Sequence, residues 1–308
     1  MAMTGKLWAM MSTMEVDRQD RTYKAKMWVF LIMLIALVAD RFLYPKGGVG
    51  PLLGMLFTGL VFSGVLYGYL MKKVARDFKK QILPVLVQDI EPSLSYIVDS
   101  GIDIDEFNEP GLFQNPDRYT GKDLIVGSVG QTEVKFSLVH AEEKRSGRTT
   151  DSDGRTTSET KYATIFSGLF FIADFNKRFV GRTLVKPDRF NLFSQLFGSL
   201  VILEDSAFNN MFTVNSTDQL EARYILTPSL MEKFKTLYTK VGSFQACFIH
   251  GRLFMAIEMP QDFFEPTLTR SLADSQQLKK ISDHLRLITG IVEDLGLNVR
   301  NWGAKTGT

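Results

Sequence analysis

Apolar and polar positions change their pattern at about residue 72. Upstream of it, apolar side chains come in unbroken runs. Met27–Ala39 holds 13 apolar residues in succession, followed by Asp40, Arg41 and then Phe42, Leu43 and Tyr44. Gly50–Met71 carries no charge, and a helix of that length spans roughly 33 Å, enough to cross a hydrocarbon core. The intervening Pro45–Val49 is short and turn-rich, so two antiparallel helices, 27–44 and 50–71, are expected as a transmembrane hairpin. Trp28, Tyr44, Tyr67 and Tyr69 fall where an aromatic belt would sit. Arg18, Arg21, Lys24 and Lys26 precede the first run, and Lys72, Lys73, Arg76, Lys79 and Lys80 follow the second. The loop side offers only Arg41 and Lys46, so both ends are expected in the cytoplasm. Gly50 with Gly54, and Gly64 with Gly68, form small-xxx-small pairs. Such pairs serve packing within the hairpin, a homodimer, or a partner membrane protein.

Downstream, the pattern is that of a folded domain. Val74–Glu91 is amphipathic at helical spacing, with Pro84 expected to kink it and Pro92 to end it. Residues 72–117 therefore read as a stalk and linker, and 118–308 as the main domain. Leu124–Val129 and Thr132–Ala141 flank Gly130-Gln131 as a hairpin. Glu142–Lys161 lacks large apolar residues and is expected as a mobile loop. Tyr162–Phe175 should be a central strand, bulged at Gly168. Shorter strands are expected at Thr183–Lys186, Leu200–Leu203, Phe212–Asn215 and Glu221–Ile225. Thr227-Pro228 opens a helix to about Lys240. Phe244–Ile249 and Arg252–Glu258 flank His250-Gly251 as a tight hairpin. Leu272–Leu295 is a long helix with Gly296 beyond its end. The fold class expected is α+β: an N-terminal two-helix transmembrane hairpin, then a mostly antiparallel β-sheet domain with segregated helices.

Composition narrows the function classes. A formal charge of +2 argues against a polyelectrolyte partner such as nucleic acid. The single cysteine, Cys247, permits no internal disulfide and no multi-cysteine metal site. The three histidines, His140, His250 and His284, lack the spacing of a zinc hydrolase, and no nucleophile elbow or phosphate loop occurs. No cofactor or metal is expected. The acidic group Asp99, Asp103, Asp105 and Glu106 departs from a calcium loop.

One basic patch stands out. Lys177, Arg178, Arg182, Lys186 and Arg189 face only Asp174 and Asp188, and Phe175 and Phe179 are interleaved with them. Anionic lipid headgroups or an acidic partner would suit such a segment. A solvated turn with core phenylalanines is the plainer alternative.

From about Arg118 onward the chain resembles an uncharacterised bacterial membrane family, domain-of-unknown-function family 3137. The resemblance rests on Asp123–Lys144 (DLIVGSVGQTEVKFSLVHAEEK), Thr164–Pro187 (TIFSGLFFIADFNKRFVGRTLVKP), Asp218–Glu232 (DQLEARYILTPSLME) and Ile291–Asn298 (IVEDLGLN). It implies a bacterial inner-membrane protein with N-terminal spans and brings no activity or ligand set. The leading expectation is a non-enzymatic, membrane-tethered module that binds a protein partner at the cytoplasmic face. The alternatives are a sensor of anionic lipid built on the 174–189 patch, and a hydrolase assembled from His140, Glu204, Asp205, Asp218 and Glu221.

Overall fold

The computed structural model describes residues 5–43, 49–150, 156–175, 177–187, 198–268 and 270–297. The chain forms two compact units, 1–86 with 265–281, and 87–264 with 282–308.

The first unit is built on two long helices, α1 (Gly5–Leu43) and α2 (Val49–Gln81). They run antiparallel: Arg21 pairs with Asp77 at 3.3 Å, and Ile32 approaches Gly59 further along. The segment ahead of the first apolar run, which carries Arg18, Arg21, Lys24 and Lys26, is helical from Gly5 onward and continuous with that run. Leu7, Met11 and Met14 recur every three to four positions and are buried, which gives that stretch a packed face. Beside them Glu15 accepts from Arg18 at 2.7 and 2.9 Å and from the backbone N–H of Leu272 at 2.8 Å. Arg18 also donates to the carbonyl of Leu268, and Lys79 pairs with Glu265 at 3.2 Å.

Among the described residues no helix is long and apolar enough to cross a membrane. The structure thus supplies a helical hairpin but not the transmembrane one expected from hydropathy. Of the expected loop, 45–49, residues 45–48 lie outside the described residues and Val49 opens α2, and several side chains of both apolar runs also lie outside them.

Glycine packing has a clear side. The close approach of the hairpin is at Gly59, where an added Cβ would lie 3.5 Å from Ile32 Cγ2. A Cβ at Gly54, Gly64 or Gly68 would meet nothing within 4 Å. The surroundings of Gly50 lie outside the described residues.

The second unit opens with the end of α3 (Leu83–Ile90), which follows α2 after a break at Ile82, two residues before Pro84. Then come β1 (Leu94–Ile97), α4 (Ile104–Asn108), β2 (Arg118–Val129), β3 (Thr132–Thr150), β4 (Thr156–Asp174), β5 (Thr183–Pro187) and β6 (Ser199–Val201). They are followed by α5 (Ser206–Met211), β7 (Phe212–Ser216), α6 (Gln219–Ile225), α7 (Pro228–Val241), β8 (Phe244–Ile249), β9 (Arg252–Glu258) and α8 (Ser275–Leu295). Among the described residues the strands form one sheet in the order β1-β2-β3-β4-β9-β8-β5-β7-β6, and the ladders are antiparallel. The α+β expectation is met in this antiparallel sheet with helices set apart from it.

Alternation sorts the strand residues onto two faces. Phe166, Phe170, Phe254 and Cys247 join one core cluster together with Phe107 and Leu112 from the segment between β1 and β2. Phe212, Phe244 and Phe248 turn to the other face, where Phe234 of α7 stacks within 5.5 Å of Phe244 and 6.1 Å of Phe248. Thr227 caps α7 by accepting from Leu230 N–H, with Pro228 at the first helical position. At the β8–β9 turn His250 and Gly251 have φ of 52° and 72°, the pair of left-handed residues a type I′ hairpin needs.

Four expectations are corrected. Glu142–Lys161 is not a loop: β3 runs to Thr150 and β4 starts at Thr156, with Arg145 opposite Lys161 and Ser146 opposite Thr160. Backbone pairing between the two arms, helped by β-branched threonines, satisfies the ladder without an apolar face. Glu221–Ile225 is helical, because Asp218 caps α6 by accepting from the N–H groups of Leu220 and Glu221. The register shift of β4 lies opposite Ala141/Glu142 rather than at Gly168. Gly168 is instead a point of close approach, where an added Cβ would collide with the carbonyl oxygen of Ile257. Finally, β1 is an edge strand that the sequence pattern did not suggest. Its four residues alternate buried Leu94 and Tyr96 with exposed Ser95 and Ile97.

Candidate functional site

The second unit holds a cavity of about 980 Å³ on the face of the sheet that carries Phe166 and Ala256. Its walls come from β4, β5, β8 and β9 and one covering loop, with β3 at the rim. β4 supplies Ile165 and Phe166, β9 Ala256 and Glu258, β8 Gln245, and β5 Lys186. The loop 111–114 brings Leu112 and Phe113 over them. That loop is held by ring packing, with Phe113 stacked on Phe107 at 5.6 Å and on Phe166 at 5.0 Å.

Register explains why Lys186 and Gln245 share this face. Leu184 lies opposite Cys247 in the β5–β8 ladder, and both belong to the same core cluster. Two residues along each antiparallel strand, Lys186 and Gln245 therefore return to that side. Lys186 is half-buried and donates to the carbonyl of Leu112 at 3.1 Å. Among the described residues it forms no ion pair with a carboxylate, and burial holds its ammonium pKa below the ordinary lysine value. The half-buried amide of Gln245 makes no hydrogen bond among the described residues. At the rim Glu143 and Arg145 pair with each other. Glu258 is exposed and has a partner of its own.

Residues 164–297 match the DUF3137 family model, described as a protein of unknown function. The match covers less than half of the chain, from β4 to the residue pair that follows α8. No curated protein matches. The crystal structure of the mycobacterial trehalose monomycolate transport factor A, TtfA, is similar at a TM-score of 0.34 and 8% identity. That likeness covers 70% of this chain and 96% of that one, and is too low to speak to fold or function. The DUF3137 region contains the β4, β5, β8 and β9 walls of the cavity, whereas the 111–114 loop, Glu143 and Arg145 precede it.

The basic patch also lies in the DUF3137 region, and its members part ways. Lys177 donates to the carbonyls of Tyr224 at 2.6 Å and Ile225 at 3.4 Å, near the end of α6. Burial lowers its pKa too. Arg182 donates to the carbonyl of Glu109 at 3.2 Å. Lys186 faces the large cavity, Arg178 is exposed, and Arg189 lies outside the described residues. Phe175 and Phe179 are buried, both packed on Phe248, so they are core side chains. Lys177 meets a residue the sequence did not single out: with Lys233 of α7 it lines a smaller cavity of about 260 Å³.

Of the polar groups considered for hydrolysis, Asp205, Asp218 and Glu221 hold local backbone structure. Asp205 caps α5 through Phe208 N–H at 2.9 Å and pairs with Lys235 at 2.8 Å, which holds its carboxyl below the usual range. Asp218 caps α6. Glu221 accepts from Val180 N–H at 3.0 Å and Gly181 N–H at 2.6 Å. His140 Nε2 lies 3.5 Å from Glu142 Oε1, and Glu204 is exposed. Among the described residues no group of three His, Cys, Asp or Glu side chains could hold a metal. Cys247 is buried, and desolvation pushes its thiol up to about 12, which keeps it protonated and unreactive.

Proposed function

We propose that the protein is a membrane-tethered binding module of the bacterial inner membrane. Its hairpin enters the bilayer through Met27–Tyr44 and Gly50–Met71, both termini are cytoplasmic, and the sheet domain binds a protein partner without catalysing a reaction. One observation carries this reading. The apolar side chains of α1 and α2 point outward: Phe30 is 69% exposed, Phe42 85%, Phe57 67% and Val65 67%. Burying apolar surface is worth about 25 cal/mol per Å², and so large an exposed patch marks a surface that lipid or a partner covers. The charges that flank the two runs support the orientation, and Trp28 and Tyr69 suit the interfaces. Open space at Gly54, Gly64 and Gly68 leaves that side of α2 available to a second copy or a partner helix.

A protein partner is supported by the outer end of the sheet. Leu200 in β6 and Leu220 and Tyr224 on α6 are exposed, and so is Ile202 just after β6, whose carbonyl accepts from Arg223. Edge strands with exposed apolar side chains are natural sites for another chain to pair. Cross-linking in native membranes, followed by affinity capture of the full chain, tests this. A discrete partner is expected, lost at least about fivefold in a Leu220→Glu, Ile202→Glu variant that still sediments with membranes, because a charge on a contact face is costly to desolvate. An unchanged capture profile would count against the sheet edge as the interface. The reading of 174–189 as a lipid-gripping segment has in its favour only the meeting of Lys177 with Lys233.

A further inference from the structure

We propose that the large cavity binds a single-chain amphiphile of the fatty-acid class, its carboxylate at Lys186 and Gln245 and its chain along Phe113, Ile165, Phe166 and Met259. The inference goes beyond the tethering role and does not depend on it, because every wall of the cavity belongs to the second unit.

Three observations converge. The volume, about 980 Å³, lies at the upper end of what small-molecule sites enclose. Apolar surface predominates in the walls, and Phe113 of the 111–114 loop stacks on Phe166 of β4 at 5.0 Å. Two of the polar groups that line it, finally, can donate hydrogen bonds. Lys186 uses one of its three N–H groups on Leu112, and Gln245 has an amide N–H₂ to give. A half-buried ammonium with no carboxylate partner among the described residues favours an anion beside it. One ammonium and one amide match a monoanion. A phosphate dianion would want a second cation or a guanidinium fork there, and Arg145 at the rim is already committed to Glu143. Burial holds the Lys186 pKa low in the empty site. A bound carboxylate would raise it and draw the ammonium fully into its charged form.

The test is photolabelling of the full chain in membranes with an oleate-length fatty acid bearing a diazirine on its chain, followed by peptide mapping. Label is expected on peptides containing Phe113, Phe166 and Met259, competed by excess oleate but not by oleyl alcohol or oleylamine. Lys186→Met should cut that label about tenfold, the loss of one charge-assisted contact, whereas Lys186→Arg should retain most of it. Because Lys186→Met preserves the apolar stem, label on α1 and α2 should be unchanged and reports that the chain is still folded and inserted. Cavity peptides left unlabelled while α1 and α2 are labelled would overturn the proposal. Equal competition by oleyl alcohol would overturn the assigned head group. Label in the cavity with none on α1 and α2 would uphold this site while removing support for the membrane hairpin.

Discussion

Glu15 accepts from two nitrogens of Arg18, from Gln19 and from the backbone N–H of Leu272, and is itself buried. The Arg18 hydrogen bonds are the largest reason that its carboxyl is lowered to about 2, and they outweigh the opposing effect of burial. A carboxyl depressed in the folded state stabilises above its unfolded value and loses that contribution as pH falls through the folded value. Helical unfolding of the first unit should therefore become easier between about pH 4.5 and 2, and Glu15→Ala should remove this dependence. The same variant should cost about 1–3 kcal/mol near neutral pH, since it leaves the Leu272 N–H and the Arg18 guanidinium short of an acceptor. Thermal melts followed by circular dichroism at several pH values would show both effects. In the sequence, Glu15 looked like any acid three residues from an arginine, because its third partner is 257 positions away. Lys177 and Lys186 were legible as charges, but their destinations were not. Strand register and the course of the 111–114 loop assign them to different cavities with Lys233 and Gln245, and neither of these neighbours stood out along the chain.

Secondary elements with a strong local signal could be read directly. The Thr227-Pro228 start of α7, the Gly296 end of α8 and the His250-Gly251 turn each carry their own cap or left-handed residue. Elements that depend on a distant neighbour could not. The arms of β3 and β4 beyond Glu142 pair with each other although neither is apolar, and the strand expected at Glu221–Ile225 is helical because Asp218 caps its start. Gly168 was noticed for the wrong reason. It marks where the β9 backbone lies too close for any side chain, beside the start of the Glu258 ladder. Gly168→Ala should thus destabilise the second unit by about 1–3 kcal/mol through a forced shift of the β4–β9 ladder. Denaturant unfolding should show a lower midpoint with little change in slope.

For the molecule as a whole, fold class was accessible while topology was not. Alternating strands and amphipathic helices pointed to an antiparallel α+β domain. The insertion of β8 and β9 between β4 and β5, and the placing of β6 at the edge, follow from long-range pairing that no local pattern encodes. The hydropathy of the N-terminal quarter stands apart from this, since it concerns the solvent and not the fold. Outward-facing phenylalanines on α1 and α2 are the structural counterpart of that hydropathy. The proposed arrangement is a lipid-embedded hairpin, with the sheet domain in the cytoplasm. Ultracentrifugation of lysed cells with and without detergent, paired with protease treatment of intact spheroplasts, addresses it most directly. A lipid-embedded hairpin keeps the full-length protein in the pellet until detergent is added, and leaves the sheet domain protected until the membrane is opened. Protein in the detergent-free supernatant, or a sheet domain trimmed from outside intact spheroplasts, would contradict it.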